Sequence, residues 1–520
     1  MKMNQKNFTK LLNQGLILHN KGKLDNADKI YLSVLKVDNN NSQANLLHGC
    51  ILLQKSSFKE AIVFLKKAEK FNSGNYKVNN NLGITYKNLK DFDNAEKYFL
   101  KAISINKKNF RAYFNCANLY IDQKKYDLAK SFIEKTIICN NSFVEAYQRY
   151  GDILQLQFHE SKNINFLIES KKYFTKSIKI DPLYSDSFVA LALTHLWLGE
   201  VEESADLFDK ALTISFSSNS VMSKFIIENL SDIKSTKTLI KHEYEQLTFL
   251  NNTNEVRKTN LIEEYYDTLQ KLYSKINTNN LRMDDVTMDF KKNIFNILHN
   301  PCPKLKSSNF INEKNDIRKL ESKYLQRNPE ILVIDNFLTS EALLELQKFC
   351  RNANIFKYPY ENGYVGAFLT KGLSNKFILK LTEDLRKTFK NIFRNLRLTQ
   401  AWAFKYDNKK EGIKVHADDA SVNVNFWITP DQANLNKKTG GLKIWNKIPP
   451  KKWDFEEFNY VSNSPKIMSM LEAEKITHEI IEYRENRAVI FNSKLFHTSD
   501  NYNFKDSYQN RRINMTFLYD

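Results

Sequence analysis

Cysteine is scarce and unpatterned in this 520-residue sequence: Cys50, Cys116, Cys139, Cys302 and Cys350 are odd in number and include no C-x-x-C pair. That argues against a disulfide framework and a thiolate zinc site, and leaves the thiols as buried or neutral groups. Thirteen Gly and nine Pro are too few for a collagen-like or low-complexity chain. No run of 18 apolar residues occurs, and the start, MKMNQKNFTKLLNQGLILHN, is broken by Asn, Gln and His before a signal-peptide core can form. The expectation is a soluble, cytoplasmic protein with no membrane attachment.

A local concentration of charge is also lacking. The formal net charge is +19, but residues 331–520 hold 29 Lys and Arg against 22 Asp and Glu, and the remainder 49 against 37. An excess spread this evenly lacks the basic stripe that a phosphate backbone selects, so nucleic acid is not the expected partner. With 42% hydrophobic and 26% charged residues the chain has an ordinary globular composition, and its length allows two to four domains.

What is present in the first half is a period. A shift of 34 aligns Gly15, Gly49, Gly83, Ala117 and Gly151, and a second small series, Ala27, Ala61, Ala95 and Ala129, follows 12 residues behind. Aromatic residues Tyr31, Phe64, Phe99 and Phe132 lie nearby. Small residues at a fixed period mark the closest approach of paired helices, and the stretch NNLGITYKNLKDFDNAEKYFLKAISINKKN closely resembles the tetratricopeptide repeat. The register then slips by seven, because the next small pair is Ala192 and Ser204; an insertion in LQLQFHESKNINFLIESKK that lengthens the fifth repeat's loop explains this. About six repeats are expected over residues 8–219. Only Pro182 ends a repeat in proline, and Asn-rich turns such as VDNNN and INKKN replace it elsewhere. The resemblance implies an all-α superhelix with a groove for a protein or peptide partner; a spacer or dimerisation arm is the other reading. Residues 220–325, including KFIIENLSDI, read as capping helices and linker, with a hinge at PCPKLKSSN.

From residue 330 short strands dominate. ILVIDNFL reads as a strand and turn, TSEALLELQKFCRN and NKFILKLTEDLRKTFKNIFRNL as helices, and LTQAWAFKYD, GIKVHAD, SVNVNFWIT, GGLKIW, THEIIEYRE, RAVIFNS and RINMTFLYD as strands. That order predicts a sandwich or barrel with helices on one outer face. Strand parity puts Val422, Val424, Phe426 and Ile428 on one face, and Asn423, Asn425, Trp427 and Thr429 on the other. In the last strand Arg512, Asn514 and Thr516 share the polar face, while Arg511 goes with Ile513, Met515 and Phe517 toward the helix-covered side. The polar face suits an enclosed ligand cavity.

Two histidines and an aspartate fall on that cavity: His416 and Asp418 at i, i+2, and His497 81 residues later. Two imidazoles and a carboxylate on one side of a metal leave three positions open. Arg512, 15 residues beyond His497, is placed to grip a carboxylate bidentately. The ordered set Y-x9-H-x-D, VNVNFW, GGLKIW, NRAVIFNSKLFH and RRINMTFLY resembles the 2-oxoglutarate- and Fe(II)-dependent oxygenases, especially the prolyl-4-hydroxylase-like branch, over residues 330–520. The resemblance implies a double-stranded β-helix (jelly-roll) with flanking helices. It further implies His416, Asp418 and His497 as iron ligands, Arg512 as the partner of the distal carboxylate of 2-oxoglutarate, and Tyr406 as a pocket hydroxyl. Asn425 and Thr516 join the co-substrate site by sharing its face. Fe(II) and 2-oxoglutarate are the implied cofactor and co-substrate, with ascorbate as a reductant. The sequence departs from the family in a long insertion between His416 and His497, and in Trp427 where a tyrosine is common. The expected activity is hydroxylation of a protein or peptide side chain recruited by the repeats. An inactive scaffold, or hydroxylation of a small molecule or glycan precursor, are the alternatives.

Overall fold

The computed structural model describes residues 5–216, 230, 232–257, 259–294, 299–306, 309–410 and 412–520. The chain divides into two compact units, residues 1–182 and 183–520.

The first unit is five antiparallel helix pairs: Gln5–Asn20 with Leu24–Val37, Ser42–Gln54 with Phe58–Phe71, Tyr76–Asn88 with Phe92–Ile105, Phe110–Asp122 with Tyr126–Cys139, and Val144–Ser161 with Asn165–Ile180. The glycine series has a steric cause. A Cβ on Gly15, Gly49, Gly83 or Gly151 would lie 2.4–2.8 Å from a side chain of the paired helix: Tyr31, Leu65, Phe99 and Phe174 respectively. The second pair thus packs through Leu65 rather than Phe64. Phe174 comes seven residues late, as the slipped register requires, but the insertion is not in the loop. The fifth pair's helices have 18 and 16 residues, where the fourth pair's have 13 and 14, and only residues 162–164 connect them. The extra residues extend both helices. The Asn-rich turns act as caps: the side chains of Asn41, Asn75 and Asn109 accept hydrogen bonds from the backbone N–H of Ala44, Lys77 and Ala112. These bonds satisfy first-turn donors without a proline.

The sixth helix pair, Ser185–Leu198 and Val201–Ser215, belongs to the second unit. Its expected small residues do meet, with Ser204 Oγ donating to Ala192 O at 2.8 Å. The opposite side is committed elsewhere. Ala192, Leu196, Ala205 and Phe208 join the core of the β-rich unit, Trp197 Nε1 donates to Leu398 O at 2.7 Å, and Glu202 pairs with Lys380 at 2.9 Å. The unit boundary therefore falls at 182/183 and not at 219, a position outside the described residues. A chain beginning at Leu183 is expected to fold cooperatively. One beginning at residue 220 is expected to be insoluble, because it bares the apolar surface and the Leu398 carbonyl that Trp197 covers; soluble yield and a thermal melt of the two chains decide this.

The helices Ile233–Asn252, Asn260–Asn277 and Ile317–Leu325 pack within the second unit rather than cap the repeats. The expected KFIIENLSDI helix lies largely outside the described residues. Ile233–Asn252 covers the β-sheet: its Glu243 meets Lys357 at 2.7 Å, its Glu245 accepts from Arg511 Nε at 2.9 Å, and its Lys241 meets Asp407 at 2.8 Å. His242 is buried beside Lys405, and burial first, then the Lys405 charge, moves its pKa down to about 3. Burial also lowers Lys405 and Lys357. Groups whose folded pKa is depressed bind protons more readily in the unfolded chain, so the two lysines cost the unit stability as pH falls below about 10.5 and His242 as it falls below about 6.5. The expected cost is about 2 kcal/mol between pH 6.5 and 5 from His242 alone. Urea midpoints across that range check it, and His242→Asn should flatten the slope.

Among the described residues twelve strands form the β-rich core: β1 Ile331–Ile334, β2 Tyr358–Tyr360, β3 Tyr364–Phe368, β4 Leu398–Tyr406, β5 Lys409–Lys410, β6 Val422–Trp427, β7 Leu442–Trp445, β8 His478–Ile481, β9 Ala488–Asn492, β10 His497–Ser499, β11 Tyr502–Asn503 and β12 Ile513–Tyr519. Seven make one sheet in the order β1-β9-β6-β12-β4-β3-β2, three make a second in the order β10-β7-β8, and β11 pairs β5. Each pairing is antiparallel. Register defines the faces. Asn425 opposes Thr516 and Val489, and Trp427 opposes Asn514, so these residues share one face. That face packs with Leu442, Ile444 and Ile481 of the smaller sheet. Val424, Phe426, Met515 and Phe517 face the other way, into the helices. The β2–β3 hairpin is an addition to the strands expected from sequence. GIKVHAD is a departure: only His416 makes a bridge, to His497. The insertion folds as two short helices, Phe455–Asn459 and Ser464–Ala473.

Candidate functional site

The three expected ligands converge. His416 and His497 exchange backbone hydrogen bonds of 3.0 and 2.8 Å across their bridge, which sets the rings side by side with centroids 4.4 Å apart. Asp418 is positioned by its own backbone, whose N–H donates to Ser493 O at 3.1 Å. One donor atom from each of His416, Asp418 and His497 lies within 4.8 Å of the others. Asp418 Oδ1 is 3.8 Å from His416 Nε2, and its Oδ2 is 3.5 Å from His497 Nε2.

The tautomers are fixed from behind. His416 Nδ1 lies 2.8 Å from Lys414 O and His497 Nδ1 lies 2.9 Å from Leu495 O. A carbonyl only accepts, so Nδ1 carries the proton and each Nε2 presents a lone pair to the centre. Burial, and then the neighbouring His497, lowers the His416 pKa and favours neutral imidazole. Burial raises Asp418, but its contacts with the two imidazoles and the Asn423 amide outweigh that and hold it below the usual carboxylate range. Two imidazole nitrogens and one carboxylate are a donor set suited to a divalent cation.

Two amides steady the carboxylate: Asn423 Nδ2 donates to Oδ2 at 3.0 Å, and Asn459 Nδ2, from the insertion, reaches Oδ1 at 3.4 Å and Ala417 O at 2.8 Å. Neither residue was marked from sequence. Asn423 was legible as a polar residue on the cavity face, whereas Asn459 lies in an insertion with no periodic signal. Supporting hydrogen bonds of this kind are worth about 10-fold to 100-fold in metal affinity. Asn459→Ala is accordingly expected to weaken Co(II) binding by about 10-fold with its melting curve little changed; a visible-absorption titration with Co(II) reads the effect.

Arg512 is the second anchor. Its side chain is fully buried, with the guanidinium 4.6 Å above the Tyr406 ring, Nε donating to Gly440 O at 2.8 Å and Nη1 reaching Asn514 Oδ1 at 3.4 Å. Among the described residues no carboxylate lies within ion-pair distance of it. Arg511, also buried, points to the opposite face and pairs with Glu245. A buried guanidinium without a carboxylate is costly, and an anionic ligand is the natural compensation. Other polar atoms on this face are unsatisfied too: Asn425 donates to Thr516 Oγ1 at 3.0 Å, but its Oδ1, Trp427 Nε1, Tyr502 OH and the Tyr406 hydroxyl, beside Arg512 and Ser499, make no hydrogen bond of good geometry. Buried groups of this kind are rare unless something fills the space between them. A buried cation beside unsatisfied polar atoms suits a small anion. A cavity of about 240 Å³ opens on His416 and Asp418, walled by Tyr364, Trp402, Phe404 and Phe455.

No helix among the described residues is long and apolar enough to cross a membrane. The Tetratricopeptide repeat family model matches residues 11–41, 76–109 and 110–137. No curated protein matches the chain. Among solved structures, pilF of Pseudomonas aeruginosa is 17% identical over 42% of this chain and 97% of its own, with a TM-score of 0.35. PilW, a type IV pilus biogenesis factor, is 17% identical over 41% and 94%, with a TM-score of 0.37. MamA of Desulfovibrio magneticus RS-1 is 19% identical over 34% and 97%, with a TM-score of 0.30. The family match and the 34-residue steric repeat agree, and the first unit is an array of tetratricopeptide repeats.

Proposed function

We propose that the second unit is a double-stranded β-helix dioxygenase that uses Fe(II) and 2-oxoglutarate to hydroxylate a protein or peptide side chain, and that the repeats recruit that polypeptide. The observation that carries this reading is the buried Arg512, without a carboxylate partner, on the cavity face of the fold that also brings His416, Asp418 and His497 together. His416, Asp418 and His497 would hold the iron, and Arg512, with Tyr406, Asn425 and Thr516 around it, the 2-oxoglutarate. Bound iron with 2-oxoglutarate and oxygen supplies the power to convert an unactivated C–H to C–OH, giving succinate and carbon dioxide as co-products. The chain's own residues do the rest. The Nδ1 bonds to Lys414 and Leu495 keep the imidazoles aimed, Asn423 and Asn459 hold the carboxylate, and the aromatic walls exclude water from the reacting centre.

The groove reading is supported by the surface of the first unit, where a pocket of about 370 Å³ is lined by Lys77, Lys108 and Arg111 with four asparagines and no acidic residue. Such a lining suits acidic or hydrogen-bonding polypeptide segments. The test of the enzyme reading is the release of succinate from 2-oxoglutarate by the purified chain with Fe(II) and ascorbate. Slow release is expected without a substrate, and none without iron.

A further inference from the structure

The cavity of about 240 Å³ that opens on His416 and Asp418 has two features that holding a metal does not use: a wall of aromatic rings and a second carboxylate, Asp419. The wall follows from strand pairing. Tyr364 and Phe368 of β3 share a face with Trp402 and Phe404 of β4, and Gly366 makes room between them, since a Cβ there would meet Phe404 Cε1 at 2.9 Å. Tyr364 and Phe368 stand nearly upright to the Phe404 ring, at interplanar angles of 73° and 83° and centroid distances of 5.1 and 6.0 Å. Phe455 of the insertion helix, 45% exposed, joins the wall. Among the described residues no lysine or arginine lies over any of these five rings. Asp419 is exposed, and among the described residues its carboxylate makes no hydrogen bond or ion pair. Lys414, the cation on the same wall, has a partner of its own and is not within ion-pair distance of Asp419.

We infer that the side chain this site modifies is cationic, a lysine or an arginine, with its alkyl stem held against the aromatic wall and its charge paired with Asp419. The inference rests on the dioxygenase reading and supplies its substrate class. The volume lies below the range of about 300–1,000 Å³ typical of pockets for whole small ligands, and suits a single side chain. The faces of aromatic rings attract a cation within about 6 Å, and no cation of the chain takes up these faces. An apolar side chain covering Asp419 would strip its water and return nothing, whereas an ammonium or guanidinium replaces that water with a charge-assisted pair. Asp418 does not compete for the guest, because in this reading its charge is taken up by the metal. In the reaction one atom of O2 enters a stem C–H bond as C–OH and the other enters succinate. The C–H bond and 2-oxoglutarate each supply two electrons, carbon dioxide leaves, and the cationic group keeps its charge.

The test offers the full chain, with Fe(II), 2-oxoglutarate and ascorbate, random dodecapeptide pools carrying lysine, arginine, norleucine, proline or glutamate at the centre, and reads the gain of one oxygen atom at that residue by mass spectrometry. The lysine and arginine pools are expected to exceed norleucine by about 10-fold, Asp419→Lys to bring that ratio below one, and Phe455→Leu to lower it by about 3-fold. Preferred modification of norleucine, proline or glutamate, or an unchanged ratio in Asp419→Lys, would overturn the inference. Free alkyl diamines form a further pool, and their modification without that of any peptide would uphold the cation and overturn its placement on a polypeptide. Binding is read separately by saturation-transfer NMR on the chain with Zn(II) and 2-oxoglutarate. There n-butylammonium should receive saturation from the aromatic protons and n-butanol should not, and Asp419→Lys should abolish the difference. That pattern without succinate release in any pool would uphold the cation subsite and remove the enzyme reading instead. Equal transfer to the two probes would overturn the inference whatever the pools show.

Discussion

Arg512→Ala is expected to weaken 2-oxoglutarate binding by about 30-fold to 1000-fold, or about 2–4 kcal/mol, the loss of a bidentate charge-assisted contact to a buried carboxylate. The neighbouring arginine gives the contrast. Arg511 faces the covering helix, where Glu245 and Asp407 surround it, so Arg511→Ala leaves the partly buried Glu245 with Lys241 at 3.9 Å as its remaining cation, while Asp407 keeps Lys241 at 2.8 Å. Its expected effect is a loss of about 1.5–3 kcal/mol in stability with 2-oxoglutarate affinity in the surviving folded fraction unchanged. Arg512→Ala orphans the Gly440 carbonyl but no carboxylate, and without 2-oxoglutarate its cost in stability should be smaller than that of Arg511→Ala. Calorimetric titration with 2-oxoglutarate in the presence of Mn(II), paired with urea melts, separates the two. Equal effects of both substitutions on affinity would mean that the sheet faces are misassigned.

Removing any one of the three proposed metal donors should have the largest effect of all. His416→Ala, Asp418→Ala and His497→Ala are each expected to abolish succinate release and to reduce bound iron to below a tenth of one equivalent per chain. A three-donor site keeps little affinity on two donors, and Asp418 supplies its only charge. The backbone exchange between residues 416 and 497 persists in all three variants, so their melting temperatures without metal should stay near that of the wild type. Metal analysis after gel filtration and a thermal melt check both parts. Full iron occupancy in any one variant would remove that residue from the site.

Much of this arrangement was legible in the sequence because it rests on short-range periodicities. The glycine and alanine series follows from helix pairing, since Gly83 must admit Phe99 and Gly151 must admit Phe174. The alternation in SVNVNFWIT and RRINMTFLY separates Asn425 and Arg512 from Phe426 and Arg511, because strand side chains alternate faces. What the sequence left open depends on contacts made at long range. The seven extra residues in the fifth repeat entered helices because the helical period continues through them, and no turn residue stops Val144–Ser161 until Lys162 adopts a left-handed conformation. The sixth helix pair carries the repeat's small residues, but its other face packs against helices and strands some 200 residues away, as Trp197 and Leu398 show. Asn459 is invisible for the same reason: nothing local distinguishes an asparagine on Asp418 from one in a surface turn.

The structure of the full chain crystallised anaerobically with Mn(II) and 2-oxoglutarate tests the central claim most directly. The predicted result is one ion within about 2.0–2.3 Å of His416 Nε2, an Asp418 carboxylate oxygen and His497 Nε2, with the distal carboxylate of 2-oxoglutarate on the Arg512 guanidinium. An ion bound elsewhere, or 2-oxoglutarate absent from Arg512 while the three side chains keep their places, would contradict it.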